Sequence, residues 1–163
     1  MLTLDRLKEV VDYIDQAFYW KLVTSNRVKV GDRAGNQSPN GYRRINIDGR
    51  SYLEHHLVFL YHHGRLPKEL DHINGIRNDN RIENLRECTR RQNLANRYYK
   101  NIGTGLRGVQ KCGRKWEARI RAGDGVILRL GIFDTPEQAK EAYDEIASEM
   151  YGEFYGSRGA GSF

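Results

Sequence analysis

The feature that most restricts what this chain can fold into is a polar stretch from Glu69 to Arg97, which is dense in Asn, His, Asp and Arg. Its few apolar residues are Leu70, Ile73, Ile76, Ile82, Leu85 and Leu94. So few apolar side chains cannot build an ordinary core, and small folds with thin cores often depend on a metal, a partner or a ligand. The local pattern predicts a strand near Leu70–His72, a loop, a second strand near Ile82–Leu85, and a helix from Thr89 to about Tyr99.

The sequence before this stretch predicts two helices and a hairpin. Apolar residues at steps of three and four predict an amphipathic helix through Leu4, Leu7, Val11, Ile14 and Phe18. The dipeptide Asp48-Gly49 suits the positive φ angles of a two-residue turn, so we expect a hairpin formed by residues 42–47 and 50–53. A second helix is predicted from Leu53 until Gly64.

Composition indicates an anionic partner and disfavours several classes of protein. The net charge of +6 and the pI of about 9.4 suit DNA, RNA or an anionic membrane without distinguishing them. Two cysteines, Cys88 and Cys112, form no C-x-x-C pair, which disfavours a disulfide scaffold and a cysteine-rich zinc site. No signal-peptide pattern and no apolar run of the ~20 residues that a membrane span needs is evident. We therefore expect a cytoplasmic protein that does not enter a membrane.

The segments Asp71–Gly75, Asn80–Arg86 and Arg91–Asn93 together contain the parts that phosphodiester hydrolysis needs. The reaction needs an activated water, a cation that stabilises charge on the phosphate, and a group that fixes the base in its tautomer. A histidine suits the base because its unperturbed pKa lies near neutrality. A carboxylate with an amide oxygen makes a hard-oxygen site, which suits Mg²⁺ better than Zn²⁺. Asp-His-x-Asn-Gly alone could be an ordinary turn, whereas the joint pattern is far more specific.

The segments Asp71–Gly75, Asn84–Arg86 and Arg91–Asn93 resemble the HNH nucleases, most closely the phage and intron-encoded homing type, over roughly residues 17–98. The resemblance implies an α+β fold with a ββα-metal (His-Me finger) core at about residues 69–98. It implies that His72 is the general base and that Asp71 and Asn93 are ligands of one divalent ion. It also implies that Asn84 holds the His72 ring in place. Asn93 stands where the family often has His.

The same resemblance implies an activity. The enzyme would hydrolyse double-stranded DNA with Mg²⁺ or Mn²⁺ and leave 5′-phosphate and 3′-hydroxyl ends. One active site per chain cuts one strand per visit, so double-strand cleavage would need a homodimer or two visits. A phage-encoded protein of this type would act in the cytoplasm of a bacterial host cell. Two alternatives stay open, a DNA-binding regulator on an inactive HNH fold and an RNA-directed enzyme or RNA-binding protein.

Four further histidines raise the alternative of a zinc site. His55 and His62, like His56 and His63, are seven residues apart, which is about 10.5 Å along a helix. Two ligands at ~2 Å from one zinc ion do not easily span that distance. We expect one histidine of the 55/56 pair to pack beside the active site, and the others to be solvated or to contact phosphate.

The last third of the chain has a basic part followed by an acidic part. The basic residues lie on three strand-like runs, Leu106–Lys111, Lys115–Arg121 and Val126–Leu130. The acidic residues lie on a helix that follows Thr135, with a capping box completed by Gln138. If this helix covers one face of a three-stranded antiparallel sheet, the opposite face is a positive surface that can bind DNA.

This part resembles the AP2 DNA-binding domain through Arg107–Val109, Trp116–Arg121, Leu130–Thr135 and Ala139–Ala147. The resemblance implies a DNA-facing sheet surface that carries Arg107, Gln110, Trp116, Arg119, Arg121 and Arg129, with Lys111 adding basic charge. Gln110 and Arg129 depart from the usual residues, so the family's sequence preference does not transfer. Trp116 can equally be a core residue, as aromatic residues in sheets usually are.

The domain boundaries follow from these patterns. We predict an HNH nuclease domain at residues 1–98, a linker at 99–105, an AP2-like domain at 106–154 and a tail at 155–163. Arginines around the catalytic residues would add phosphate contacts that raise affinity without choosing sequence: Arg77, Arg81, Arg86, Arg90, Arg91 and Arg97.

Overall fold

The computed structural model describes residues 2–23, 26, 28–96, 105–122 and 125–155. The chain divides into two compact units, Met1–Thr89 and Arg90–Phe163. The predicted linker (apart from Gly105), Arg97 and most of the predicted tail lie outside the described residues, and the predicted domain boundaries stay a prediction. No helix within the described ranges is long and apolar enough to span a membrane.

The first unit consists of short helices and antiparallel strand pairs. Its elements are α1 (Leu4–Val10), β1 (Val11–Ile14), β2 (Ala17–Trp20), β3 (Asn36–Gln37), β4 (Arg43–Ile47), β5 (Arg50–Leu53), α2 (Glu54–His63), β6 (Leu70–His72) and β7 (Leu85–Glu87). The strands form one sheet of order β3-β4-β5 and the two pairs β1-β2 and β6-β7.

The N-terminal helix is shorter than predicted. It ends at Val10, and the chain then forms the β1-β2 hairpin, in which Val11 pairs with Trp20 and Ile14 with Ala17. The β-branched and aromatic residues of this run favour strands, and the buried positions Leu7, Val11 and Phe18 fit either periodicity. The prediction that the helix continues through Phe18 was therefore wrong, because the chain after Val10 forms strands. The prediction that these three residues are buried is confirmed.

The hydrophobic core of the first unit joins its helices to its sheets. Leu7, Phe18, Ile45 and Leu57 are fully buried members of one cluster that also includes Leu85 on β7. The predicted hairpin is confirmed, with Asp48 and Gly49 at φ angles of 51° and 75°. Because Leu85 packs in this cluster, the β6-β7 pair is attached to the core despite its polar sequence.

The β6-β7 pair carries the predicted site. The first strand lies where it was predicted, at Leu70–His72, whereas Ile82–Asn84 is a 3₁₀ turn and the second strand begins only at Leu85. The antiparallel register pairs Asp71 with Arg86 and His72 with Leu85. Asp71 therefore has a cation as its cross-strand neighbour.

Within its described residues, the second unit consists of a three-stranded antiparallel sheet and two α-helices. Its elements are α3 (Arg90–Asn96), β8 (Val109–Cys112), β9 (Lys115–Arg121), β10 (Ile127–Phe133) and α4 (Pro136–Tyr151), with the strand order β10-β9-β8. The capping box predicted at the start of α4, between Thr135 and Gln138, is confirmed. Gly108 has a φ of 77°, and a Cβ there would lie 2.0 Å from the Tyr143 ring, so only glycine fits this position.

The β1-β2 turn can be stabilised by glycine. Asp15 and Gln16 both have positive φ angles, 47° and 63°, which cost about 1–2 kcal/mol per non-glycine residue. We expect Gln16→Gly to raise the free energy of unfolding by about 0.5–1 kcal/mol, measured by urea denaturation. The matched reverse change is Gly49→Gln, where a Cβ would meet no atom within 4 Å, so the positive φ of 75° should lower stability through backbone strain. The two variants should change the free energy of unfolding in opposite directions. A lower free energy of unfolding in both variants would contradict the turn assignment.

Candidate active site

Asp71 and His72 lie side by side on β6, and both are buried, with 6% and 5% of their surface exposed. The Arg86 guanidinium donates from Nε and Nη2 to Asp71 Oδ2 at 3.1 and 2.9 Å. This ion pair is itself largely buried. The strand register therefore supplies the cation that compensates the buried Asp71 carboxylate.

The His72 ring is held by a chain of hydrogen bonds. His72 Nε2 lies 2.9 Å from Asn80 Oδ1. Asn80 Nδ2 donates to Glu54 Oε2 at 2.7 Å, and Arg33 Nη2 donates to Glu54 Oε1 at 2.7 Å. Glu54 is the first residue of α2 and only 3% exposed. The chain thus connects the ring to a buried carboxylate from another part of the unit.

Asn84 does not make the expected contact with the His72 ring. Its Oδ1 accepts from the Asn74 backbone N–H at 3.0 Å, and its Nδ2 donates to Asn74 Oδ1 and to the Asp79 carbonyl at 3.0 and 2.7 Å. The 3₁₀ turn that ends at Asn84 directs its amide into the loop between β6 and β7. Asn84 therefore shapes that loop, and Asn80 takes the position beside the ring that the resemblance implied for Asn84.

The loop between β6 and β7 is also held together by hydrogen bonds to a carboxylate, Asp79. Arg81 donates from Nε and Nη2 to the Asp79 carboxylate, and Asn74 Nδ2 donates to it at 2.7 Å. The Arg81 guanidinium holds the pKa of Asp79 down at about 2, with Asn74 acting in the same direction. Sequence reasoning missed Asn80, because its contact with the ring depends on how the loop folds.

A group of rings surrounds His72. The His55 ring centroid lies 4.8 Å from those of His72 and His56 and 5.4 Å from that of Tyr42. The expectation that a histidine of the 55/56 pair packs beside the site holds for His55, whereas His62 and His63 are exposed. His55 Nδ1 is the buried side-chain atom without a hydrogen-bond partner among the described residues.

Burial lowers the pKa of these histidines. Desolvation, with smaller repulsion from His72 and His56, lowers the pKa of His55 to about 2. Desolvation also lowers the pKa of His72, against the opposing effects of the Asn80 hydrogen bond and of the Asp71 and Asp79 carboxylates. His72 is therefore neutral near pH 7, which is the protonation state that a general base needs.

The acidic and imidazole groups of the described residues do not form a complete metal site by themselves. Nowhere in those ranges do three or more His, Cys, Asp or Glu residues converge in an arrangement that could hold an ion. The Asp71 carboxylate is a charged oxygen donor, and with an amide oxygen it fits a hard cation that keeps water ligands. The amide in the predicted pair belongs to Asn93 on α3, in the second unit, so its role as a ligand stays a prediction.

The predicted DNA-binding residues fall on both faces of the second unit's sheet. Ala118 and Ile120 on β9 pack against α4. Arg119 and Arg121 alternate with them and point away from α4, and Arg129 pairs with Arg119 on the same side. Trp116 instead packs in the cluster under α4, so its predicted place on the opposite face was wrong. Lys111 lies on the Trp116 side, with Nζ 5.9 Å from the ring centroid.

Two of the predicted residues have protein partners. Gln110 and Arg129 both contact Glu117, a buried carboxylate on the face opposite α4, with Arg129 Nε 3.3 Å from Glu117 Oε1. Glu117 thus compensates part of the positive charge of this face. Sequence reasoning missed Glu117, because only the strand pairing shows that it lies between Gln110 on β8 and Arg129 on β10.

Arg107 and Arg91 contact other parts of the second unit, whereas Arg90 is exposed. Arg107 donates to the carbonyls of Leu94 and Ala95 near the end of α3, where the helix dipole favours a cation. The Arg91 guanidinium lies 5.5 Å from the centroid of the Tyr151 ring. Arg90 is exposed at the start of α3. Arg107 therefore stabilises α3, and a DNA contact by Arg107, Arg90 or Arg91 stays a prediction.

Comparisons with known proteins agree with the site. Residues 52–95 match the family model described as HNH endonuclease. The chain is 29% identical over 108 residues to an uncharacterized HNH endonuclease of Acanthamoeba polyphaga mimivirus, and this match covers 65% of the chain and 56% of that protein. The chain thus spans little more than half the length of that relative. No solved structure matches the chain significantly.

These matches support the HNH part of the resemblance, and the family match is confined to residues 52–95. The matched segment runs from β5 to α3 and includes Asp71, His72, Asn80, Asn84 and Asn93. The similarity over residues 52–95 is therefore to a family of endonucleases. The match ends at residue 95, before the sheet of the second unit begins at Val109.

The lowered pKa of His55 predicts that acid destabilises the fold. The residue has its ordinary pKa of 6.5 when unfolded and about 2 when folded, so the unfolded state binds more protons and stability falls as the pH drops below 6.5. At about pH 5 the protonation of this residue in the unfolded state should lower the free energy of unfolding by roughly 2 kcal/mol relative to pH 7.5. Urea denaturation of the wild type and of His55→Leu at both pH values measures its share.

The matched control is His63→Leu, because His63 is exposed near the end of the same helix. The control should keep the full loss of stability in acid, whereas His55→Leu should lose less. An identical pH dependence in all three proteins would show that His55 does not stay neutral in the folded state.

Proposed function

We propose that the protein is a divalent-metal-dependent endonuclease that hydrolyses the backbone of double-stranded DNA, with His72 as the general base. The observation that carries the proposal is the buried Asp71-His72 pair on β6, inside the segment that matches the HNH endonuclease family. A neutral histidine next to a carboxylate supplies a base and an oxygen donor for an ion. This combination is what phosphodiester hydrolysis requires.

His72 removes a proton from the attacking water in this proposal. Burial keeps the ring neutral, and the Asn80 contact keeps it in one orientation. Asp71 and Asn93 would hold one Mg²⁺ or Mn²⁺ ion, since both side chains offer hard oxygen donors. A divalent ion bound there stabilises the charge that develops on the phosphate and on the leaving 3′ oxygen. The products would carry 5′-phosphate and 3′-hydroxyl ends.

Substitution of His72 tests the catalytic assignment. His72→Ala should lower the rate of cleavage by roughly 10²–10⁴, the range for loss of a general base, and leave DNA binding nearly unchanged. The assay is conversion of supercoiled plasmid to nicked or linear product with about 5–10 mM Mg²⁺, against an EDTA control. His63→Ala, which removes an exposed histidine from α2, is the matched control and should cleave normally.

Each outcome of that assay has a distinct meaning. Normal cleavage by His72→Ala would remove His72 from the role of base. Wild-type protein that binds DNA and cuts none, with and without metal, would favour a regulator on an inactive HNH fold. Preference for RNA over duplex DNA in competition binding would favour the RNA-directed alternative.

We also propose that the second unit holds the DNA through the sheet face opposite α4, as an AP2-like domain. The support is the alternation on β9 and β10, which places Arg119, Arg121 and Arg129 on one exposed face. Arginines on a sheet face can contact phosphates and base edges in a DNA groove. Two exposed apolar residues on the same face, Ile127 and Ile132, offer contact to base methyl groups or sugars.

The salt dependence of binding tests this surface. Each phosphate contact adds about 0.9 to the slope of log affinity against log salt, so the double change Arg119→Ala and Arg121→Ala should lower the slope by roughly 2. Fluorescence anisotropy of the full chain on duplex DNA at several salt concentrations gives the slope. Lys140→Ala, on α4 and paired with Asp144, is the control and should leave it unchanged. An unchanged slope in the double variant would make the sheet face a solvated surface.

The remaining expectations stay part of the proposal. Nicking as the first event, a homodimer for double-strand cleavage, a homing role and a phage origin rest on the sequence resemblance alone. We place the activity in the cytoplasm of the host cell.

A further inference from the structure

Three side chains outside the catalytic residues form a series of contacts that ends at the His72 ring, and they come from separate parts of the first unit. Asn80 comes from the loop between β6 and β7, Glu54 from the first turn of α2, and Arg33 from the segment before β3. The contacts run in series, from Arg33 to Glu54, from Glu54 to Asn80, and from Asn80 to His72 Nε2, each between 2.7 and 2.9 Å. No part of the sequence pattern pointed to Glu54 or Arg33.

The chemistry of these groups determines which one donates and which one accepts at each hydrogen bond of the series. A guanidinium only donates hydrogen bonds and a carboxylate only accepts them. The side of the Asn80 amide that faces Glu54 must therefore be its NH₂ group, and the oxygen must face His72. An amide oxygen only accepts, so the ring nitrogen beside it, Nε2, must carry a hydrogen. In a neutral imidazole the other nitrogen, Nδ1, then has the lone pair.

We infer that Glu54, acting through Asn80, fixes the proton of neutral His72 on Nε2 and so makes Nδ1 the atom that accepts the proton of the attacking water. The inference rests on the proposed function, in which His72 is the general base. Glu54 and Asn80 are positioning residues, because they act on the ring and not on the DNA. Arg33 anchors the Glu54 carboxylate at the far end of the series.

Burial makes this control of the tautomer effective. Glu54, Asn80 and His72 are 3%, 5% and 5% exposed, so water offers these groups little alternative. The opposite tautomer would place the lone pair of Nε2 against the Asn80 oxygen at 2.9 Å. In a buried site such an unpaired contact is strongly unfavourable. Rotation of the Asn80 amide does not relieve it, because the amide oxygen would then face the Glu54 carboxylate.

Glu54→Gln tests the direction of the series with a side chain of nearly the same size. The new amide has one accepting end and one donating end. Arg33 requires the accepting end, so the donating end must face Asn80, and the Asn80 amide must rotate to accept from it. Asn80 would then donate to Nε2 of His72. The single substitution should therefore move the His72 proton from Nε2 to Nδ1 while the fold is retained.

The ring ¹⁵N chemical shifts of His72 report the tautomer directly. We would record them on the metal-free full chain without DNA, at a pH where His72 is neutral, and assign the His72 signals by their loss in His72→Ala. The wild type should show a protonated Nε2, and Glu54→Gln should show a protonated Nδ1. Glu83→Gln, which changes an exposed carboxylate, is the control and should keep the wild-type pattern.

A protonated Nδ1 in the wild type would overturn the inference without any variant, so it stays testable even if Glu54→Gln fails to fold. An unchanged tautomer in folded Glu54→Gln would overturn it as well. Cleavage measures the catalytic consequence, and Glu54→Gln should lower kcat by about 10²–10⁴ with little change in KM for DNA. Wild-type kcat with an exchanged tautomer would overturn the positioning role.

The two proposals can fail separately. A wild-type protein that shows the expected tautomers and cleaves no DNA would overturn the nuclease proposal and keep the hydrogen-bond series. A wild type that cleaves DNA in a His72-dependent manner and shows a protonated Nδ1 would keep the nuclease and overturn the series.

Discussion

A buried polar group without a hydrogen-bond partner costs about 1–3 kcal/mol. In the first unit, the polar side chains of the loop between β6 and β7 avoid this cost by bonding to one another and to Glu54. The loop between β6 and β7 has too few apolar side chains to hold itself against the core. Asn84 shapes it through Asn74 and Asp79, and Asn80 then reaches both Glu54 and His72. Leu85 belongs to the hydrophobic cluster, so the β6-β7 pair that carries this polar network is attached to the core. The same bonds that satisfy the loop orient the His72 ring.

The surroundings of His72 keep it neutral at the expense of stability in acid. Burial lowers the pKa of both His55 and His72, and His55 Nδ1 lies buried without a partner in the described part of the chain. Functional sites commonly carry such unsatisfied or destabilised groups. If His72 is the general base, as proposed, it is better placed among uncharged rings than in open water, where half of the imidazole would be protonated at pH 6.5.

The second unit divides its functions between the faces of one sheet. One face packs Ala118, Ile120 and Trp116 against α4, and the other exposes Arg119 and Arg121. Glu117 lies buried on the second face and pairs with Arg129, which limits the free positive charge there. Strand alternation therefore decides which side chains lie on the exposed face, and it places Trp116 on the face that packs against α4.

Sequence alone determined those features that depend on local pattern or on residue chemistry. The β4-β5 turn, the capping box of α4, the strand at Leu70–His72 and the Asp71-His72 pair could all be predicted, since each depends on a few neighbouring residues. The end of α1 and the position of Trp116 could not, because Val11 and Phe18 fit two periodicities and an aromatic in a strand suits either face. Only the tertiary structure decided that Asn80, and not Asn84, contacts the His72 ring. It also brought Glu54 and Arg33 within hydrogen-bond distance of that ring's partner, because such contacts join segments that are far apart in the chain and leave no periodic trace in the sequence.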